Sequence, residues 1–143
     1  MNRIDLNDRH AVVTGGARGF GRAIAERLLD SGAAVMLWDL DPAALTQAKA
    51  ELSRRGRVDT LLVDVASEAS VAAGTAATLA ALGHVDILVN NAGIAGPTVK
   101  TWDYDPADFR RVIEIDLVSV FLVSRAFVPS MMSQYVASGK RAR

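Results

Sequence analysis

The sequence predicts an α/β fold, a parallel sheet of about four strands with flanking helices, on three observations. Short apolar and β-branched runs alternate with longer stretches of helical spacing along the whole chain, the pattern of strand-helix-strand units. Turn residues, above all glycine and Asp-Pro pairs, punctuate that alternation at each change of period. With 143 residues, half of them apolar and 22% charged, the chain suits one compact domain with a core that needs no disulfide or metal.

Taken in order, the first strand is His10-Ala11-Val12-Val13-Thr14, and a glycine-rich turn follows it directly. Ile24, Leu28 and Leu29 then form one apolar helical stripe, closed by Ser31-Gly32, where glycine can take a left-handed cap. Ala34 to Trp38 is the second strand. Asp41-Pro42 opens the second helix, the carboxylate capping free N–H groups and the proline losing no hydrogen bond; Leu45, Ala48 and Leu52 carry its stripe to Gly56. The third strand is Val58 to Val63, and Ser67 caps a helix with Val71, Leu79 and Leu82 on one side, ended by Gly83. Val85 to Val89 is the fourth strand. Asp105-Pro106 opens the fourth helix, with Phe109, Val112, Ile113, Val120 and Val123 at helical spacing. Each run is short enough for a strand buried on both faces.

Charge and composition remove several function classes. Sixteen basic residues balance sixteen acidic ones, so a general grip on nucleic acid is not expected. The basic C-terminal end, Lys140, Arg141 and Arg143 after Arg125, reads as a solvated tail or, less simply, as a phosphate-binding patch. Cysteine is absent, which excludes a disulfide framework, thiolate zinc and a cysteine nucleophile, and His10 and His84 are unpaired in the pattern, so no metal site is expected. The N-terminus has no apolar segment of the signal or anchor type, and Leu117 to Val128 is interrupted by Ser119, Ser124 and Arg125. It falls short of the ~20 residues of a membrane span, so no membrane partner is expected and the cytoplasm is the expected location.

Thr14-Gly15-Gly16-Ala17-Arg18-Gly19-Phe20-Gly21 lies between the first strand and the first helix. There Gly15 can make a tight turn, Gly19 can let backbone approach a pyrophosphate, and Gly21 can permit close helix-to-sheet packing, with the anion on the helix N-terminus. Asp39, at the end of the second strand, can accept hydrogen bonds from both hydroxyls of an adenosine ribose and would repel a phosphate there, or it can cap the turn that follows. Strand, glycine loop, helix, strand and acid in that order point to nucleotide binding, with NAD(H) preferred over NADP(H); Arg18 is a cation near the same corner.

These residues, with Asn90-Asn91-Ala92-Gly93 after the fourth strand, give the chain a resemblance to the N-terminal, cofactor-binding part of the short-chain dehydrogenase/reductase family. Thr14-Gly15 through Gly19-Phe20-Gly21 resembles that family's Thr-Gly-x-x-x-Gly-x-Gly pattern, and Asp64-Val65 falls at its adenine-contacting position. The resemblance covers about residues 5 to 133. It implies a Rossmann-type parallel sheet, here incomplete with order 3-2-1-4, a nicotinamide dinucleotide, and hydride transfer between an alcohol and a carbonyl. Gly15, Asp39, Asp64 and Asn90 all fall at or just past strand carboxyl ends, where open α/β sheets bind ligands. Asp64 can equally be a loop-start cap, and the Asn90-Asn91 amides can serve loop backbone, cofactor or both.

The resemblance also implies catalysis by Ser, Tyr and Lys, with an Asn on the helix after the fourth strand. Helical spacing puts a carboxylate at that Asn position, Asp116, on an otherwise apolar helix face, where it either takes over the Asn role through water or is a tolerated polar position at the face's margin. Tyr135 and Lys140 are five residues apart rather than four, which separates them by ~140° on a helix, so they are not expected to act as a pair. The expectation is therefore one dinucleotide-binding domain over residues 1–143, ending after the fourth helix at about residue 133. It is the NAD(H)-binding part of an oxidoreductase for a small alcohol or carbonyl, without a complete catalytic set, or else a non-catalytic binding module or a half-domain that needs a partner chain. An unprotected fourth strand and apolar residues on more than one side of the fourth helix predict self-association into a homo-oligomer.

Overall fold

The computed structural model describes residues 4–138. Four parallel strands, β1 (His10–Thr14), β2 (Ala34–Asp39), β3 (Val58–Leu62) and β4 (Ile87–Val89), lie in the order β3-β2-β1-β4. The register pairs Val12 with Met36 on one side of β1 and with Leu88 on the other. Helices α1 (Gly19–Asp30), α2 (Pro42–Leu52) and α3 (Glu68–Leu82) alternate with the strands, as the periodicity predicts.

Side chains on a strand alternate between faces, and β1 feeds two cores accordingly. Ala11 and Val13 pack with Val35, Leu37 and the α1 and α2 residues Ala25, Leu29, Leu45 and Ala48. Val12 faces the other way, with Met36, Trp38 and α3. Trp38 is fully buried there; its indole N–H donates to Thr78 Oγ1 at 3.0 Å and its ring meets Phe127 at 5.4 Å between centroids. Gly74 makes room for that indole, since a Cβ at this position would stand 2.7 Å from Val63 Cγ2 and 3.2 Å from the Trp38 ring. The caps fall where the sequence places them. Asp41 accepts from Ala44 N–H, Ser67 from Ser70 N–H, and Gly83 closes α3 at φ +80°.

Two expectations need correction. The edge strands are not buried on both faces: Ile87, Leu88 and Val89 are half-buried and Leu62 is exposed, and among the described residues β3 and β4 stand at the two edges of the sheet. Nor is the fourth helix one regular stripe. It comprises α4 (Pro106–Ile113), a π-helical turn over Glu114–Val118 and α5 (Ser119–Ser138). A π turn inserts a residue into the α-helical repeat, so a 3.6-residue phase does not carry across it. Phe109 and Ile113 are exposed before the turn, whereas Val123, Phe127 and Met131, four residues apart beyond it, are buried against the sheet and α3. No helix among the described residues is long and apolar enough to cross a membrane.

At the amino end of the sheet, Asp86 is buried, its side chain 3% exposed, and collects four donors. These are Arg9 Nη1 at 2.8 Å, His10 N–H at 2.9 Å, Gln134 Nε2 at 3.1 Å and His84 Nε2 at 3.2 Å. The His10 and His84 rings lie 4.1 Å apart, so the two histidines are partners rather than the unpaired residues the sequence suggests.

Burial pushes the Asp86 carboxyl up, but the His10 N–H, the Arg9 guanidinium and the charge of His84 outweigh it and hold the group below its ordinary 3.8. A carboxylate so held stabilises the fold above 3.8 and loses that contribution as the pH falls through its folded value. Burial and neighbouring His84 lower His10 from 6.5, so its contribution is complete above 6.5 and declines as acid protonates it. Urea denaturation midpoints across a pH series should therefore fall on acidification below 6.5 and again below 3.8, with Asp86→Asn reducing the lower step.

Candidate functional site

The carboxyl ends of β1 and β4 are locked to each other by two side chains. Thr14 Oγ1 accepts from the N–H groups of Asn91 and Ala92, both at 3.0 Å, and Asn91 Nδ2 donates to the carbonyls of Thr14 at 2.9 Å and Gly15 at 3.1 Å. Gly15 turns the chain at φ +60°, and a Cβ there would press on Ala92 Cα at 3.0 Å; a Cβ on Gly21 would collide with the Gly15 carbonyl oxygen. Both positions need glycine for the close approach that the sequence assigns to Gly21, and Gly15 needs it for its left-handed backbone as well.

The loop from Gly15 leads into α1, whose start differs from the other helix starts described above. Arg18 stands at its cap with no side-chain hydrogen bond to the first turn, and no acidic residue lies in that turn. The first N–H groups of a helix have no intrahelical acceptor, and the helix dipole adds partial positive charge at the same end. Facing this end, Asp39 accepts from Ala17 N–H at 3.1 Å with one oxygen and from Leu40 and Asp41 N–H with the other. The turn-capping alternative for Asp39 is thus observed, and the carboxylate also lines an open cleft of about 480 Å³.

That cleft brings together Gly15, Arg18, Phe20, Asp39, Asp64, Val65, Ala92 and Gly93 of the residues singled out from the sequence. Asp64 is a loop-start cap, its Oδ1 accepting from Ala66 N–H at 2.9 Å, while also lining the cleft. The two asparagines part company. Asn91 lines the cleft, whereas Asn90 donates its amide to Ser124 Oγ at 3.1 Å. Gly19, at φ +56° with open space where a Cβ would stand, and Gly21 shape the loop from behind the lining.

Asp116 lies in the π turn and is exposed, which corrects the expectation of a carboxylate on an apolar face. Its Oδ1 accepts from Ile94 N–H at 2.8 Å, and a Cβ on Gly93 would come within 3.2 Å of it, so the carboxylate holds the loop that leaves the cleft. The extra residue of the π turn moves it off the stripe. Tyr135 is exposed near the end of α5 and does not line the cleft, and Lys140 lies outside the described residues. Sequence reasoning missed Leu40, Ile94, Arg111 and Ile115 among the lining residues. Leu40 and Ile94 directly follow Asp39 and Gly93, a signal that was available; Arg111 and Ile115 arrive from another element and carried none. Among the described residues no group of three or more His, Asp or Glu is placed to hold a metal ion.

The family model for short chain dehydrogenases matches residues 9–140. The chain belongs to that family. Among short-chain dehydrogenases it is 44% identical over 124 residues to the 2-dehydro-3-deoxy-L-rhamnonate dehydrogenase (NAD(+)) of Sphingomonas sp. strain SKA58, covering 87% of this chain and 49% of that protein. The solved structure of the 3-ketoacyl-(acyl-carrier-protein) reductase from Brucella melitensis complexed with NADH superposes with a TM-score of 0.90 at 30% identity, over 96% of this chain and 56% of the other. The RhlG/NADP active-site complex of Pseudomonas aeruginosa superposes with a TM-score of 0.86 at 31% identity, over 93% of this chain and 52% of that one. The chain spans about half the length of the curated short-chain dehydrogenases it matches.

The lock between the strand ends sets different costs for the two asparagines. Asn91→Ala leaves two part-buried carbonyls without their donor and should destabilise the chain by about 1–3 kcal/mol. Asn90→Ala, at an exposed amide, should stay within about 0.5 kcal/mol. Urea unfolding of the two variants beside the unaltered chain measures both.

Proposed function

We propose that the cleft holds a nicotinamide dinucleotide and that this chain is the NAD(H)-binding part of an oxidoreductase moving hydride between a small alcohol and a carbonyl. The observation that carries this reading is the uncapped start of α1, open to an anion at the edge of the cleft, with the Asp39 carboxylate held by the Ala17 N–H just before it. The Gly15 turn, Gly19, Phe20 and Gly21 would cradle the pyrophosphate, with Arg18 near the ribose corner beside Asp39. Asp39 would take the adenosine ribose, Asp64 and Val65 the adenine, and Ala92 and Gly93 the nicotinamide half, while Asn90, which the sequence also assigns to the cofactor, is turned to Ser124 outside the lining. Gly15 supports the fit, since the space beside Ala92 that a Cβ would fill is left to backbone. When bound, the nicotinamide ring exchanges the hydride. Asp116 acts through the Ile94 amide, fixing the rim of the cleft on the side where substrate would meet the ring.

The cofactors of these relatives divide between NAD(+), NADH and NADP, so the choice rests on this chain's own residues. A carboxylate at the ribose favours two hydroxyls and repels a phosphate, which selects NAD(H). The cytoplasm is the location we propose with this reading. Leu117, Phe121 and Met132 are more than 60% exposed on the π turn and α5, so we also propose self-association through these residues.

Calorimetric titration should show tighter binding of NADH than of NADPH, with Asp39→Asn, which keeps an acceptor for the loop amides, narrowing the difference. Equal or tighter NADPH binding by the unaltered chain would overturn the preference. In sedimentation velocity the mean mass should rise with concentration in the micromolar range, and Phe121→Lys should shift it toward the monomer; a concentration-independent monomer would refute the association.

A further inference from the structure

We propose that Asp41 governs cofactor choice by pairing with Arg18 and so keeping that guanidinium from serving a phosphate at the ribose corner. The inference rests on the dinucleotide reading of the cleft. Arg18, at the entry to α1, lines the cleft with Asp39 and Leu40, whereas Asp41 does not line it. The Arg18 Nη2 donates to Asp41 Oδ2, and the other oxygen of the same carboxylate, Oδ1, accepts the Ala44 N–H at 3.0 Å as the cap of α2. The carboxylate is therefore fixed by the helix and does not follow the arginine.

Asp39 leaves Arg18 to Asp41. Its oxygens are occupied by three backbone N–H groups, those of Ala17, Leu40 and Asp41, and the ion pair of Arg18 runs to Asp41 instead. The Ala44 N–H, more than Arg18 itself, lowers the Asp41 carboxyl below its ordinary 3.8, so it is ionised at neutral pH. Arginine is charged at any such pH, and a guanidinium presents parallel donors that suit a phosphate as well as a carboxylate. Two negative charges thus act on one corner by different routes. Asp39 repels a 2′-phosphate directly, and Asp41 removes the cation that would hold it. Reading the sequence alone makes Asp41 a helix cap and nothing more; the ion pair gives it the second role.

The test separates that role from capping. Asn and Ser cap helices about as well as Asp, so Asp41→Asn and Asp41→Ser should keep α2 and the fold, which thermal unfolding checks. Titrated with NADH and NADPH, both variants should bind NADPH about two- to fivefold more tightly than the unaltered chain, the scale of an exposed ion pair. NADH affinity should stay within about twofold, because the Asp39 corner is untouched. Adding Arg18→Ala to Asp41→Asn should abolish the NADPH gain. No gain in either variant, or a gain that survives without Arg18, overturns the proposal while NADH binding by the unaltered chain leaves the cleft assignment standing. A chain that binds neither cofactor overturns both.

Discussion

Four backbone groups at the carboxyl edge of the sheet are satisfied by two side chains, and the geometry of the cleft depends on that exchange. Thr14 supplies one oxygen to two N–H groups of the 91–92 segment, and Asn91 returns one amide to two carbonyls of the 14–15 segment. Part-buried backbone groups left unpaired would each cost on the order of 1–3 kcal/mol, so the two loops are fixed relative to one another to within hydrogen-bond tolerance. Glycine at 15 and 21 is what lets the two strand ends and the first turn of α1 come that close. The rest of the cleft is measured from this point.

Around it, carboxylates act on backbone before anything else. Asp39, Asp64 and Asp116 each accept from a backbone N–H of their own or a neighbouring loop. An ionised acceptor makes a shorter and stronger hydrogen bond than a neutral one, so few such contacts hold a loop that has no regular structure. The cleft is consequently set before a ligand arrives, and binding need not meet the entropic cost of ordering these loops.

What the sequence disclosed follows from this division. Strand positions, helix starts and the glycine loop are written in local chemistry: short apolar runs, a 3.6-residue stripe, a capping Asp before Pro42, a glycine where φ is positive; the strand order came from the family resemblance. Asp39, next to such a signal, was legible for the same reason, whereas Asp64 and Gly93 came from the family resemblance. Partnerships between distant segments were not. The joining of His10, His84 and Gln134 on Asp86, and the arrival of Arg111 at the cleft, depend on tertiary approach that no local pattern encodes. The π turn was hidden for a third reason, because the residues 106–123 satisfy a helical spacing well enough in composition while the backbone adds one residue midway.

The placement of β4 beside β1 also orders events in time. β1, β2 and β3 pair through single crossover helices, but β4 reaches β1 across a separation of 76 residues. During synthesis the first three strands can associate as they leave the ribosome, while the Thr14 and Asn91 contacts must await the emergence of a segment made much later. Closing so long a loop adds little to the equilibrium cost, which grows only as the logarithm of its length, yet it slows the search. Until Asn91 emerges the carbonyls of Thr14 and Gly15 have water as their partner, so the cleft edge takes its final geometry after the first three strands have paired.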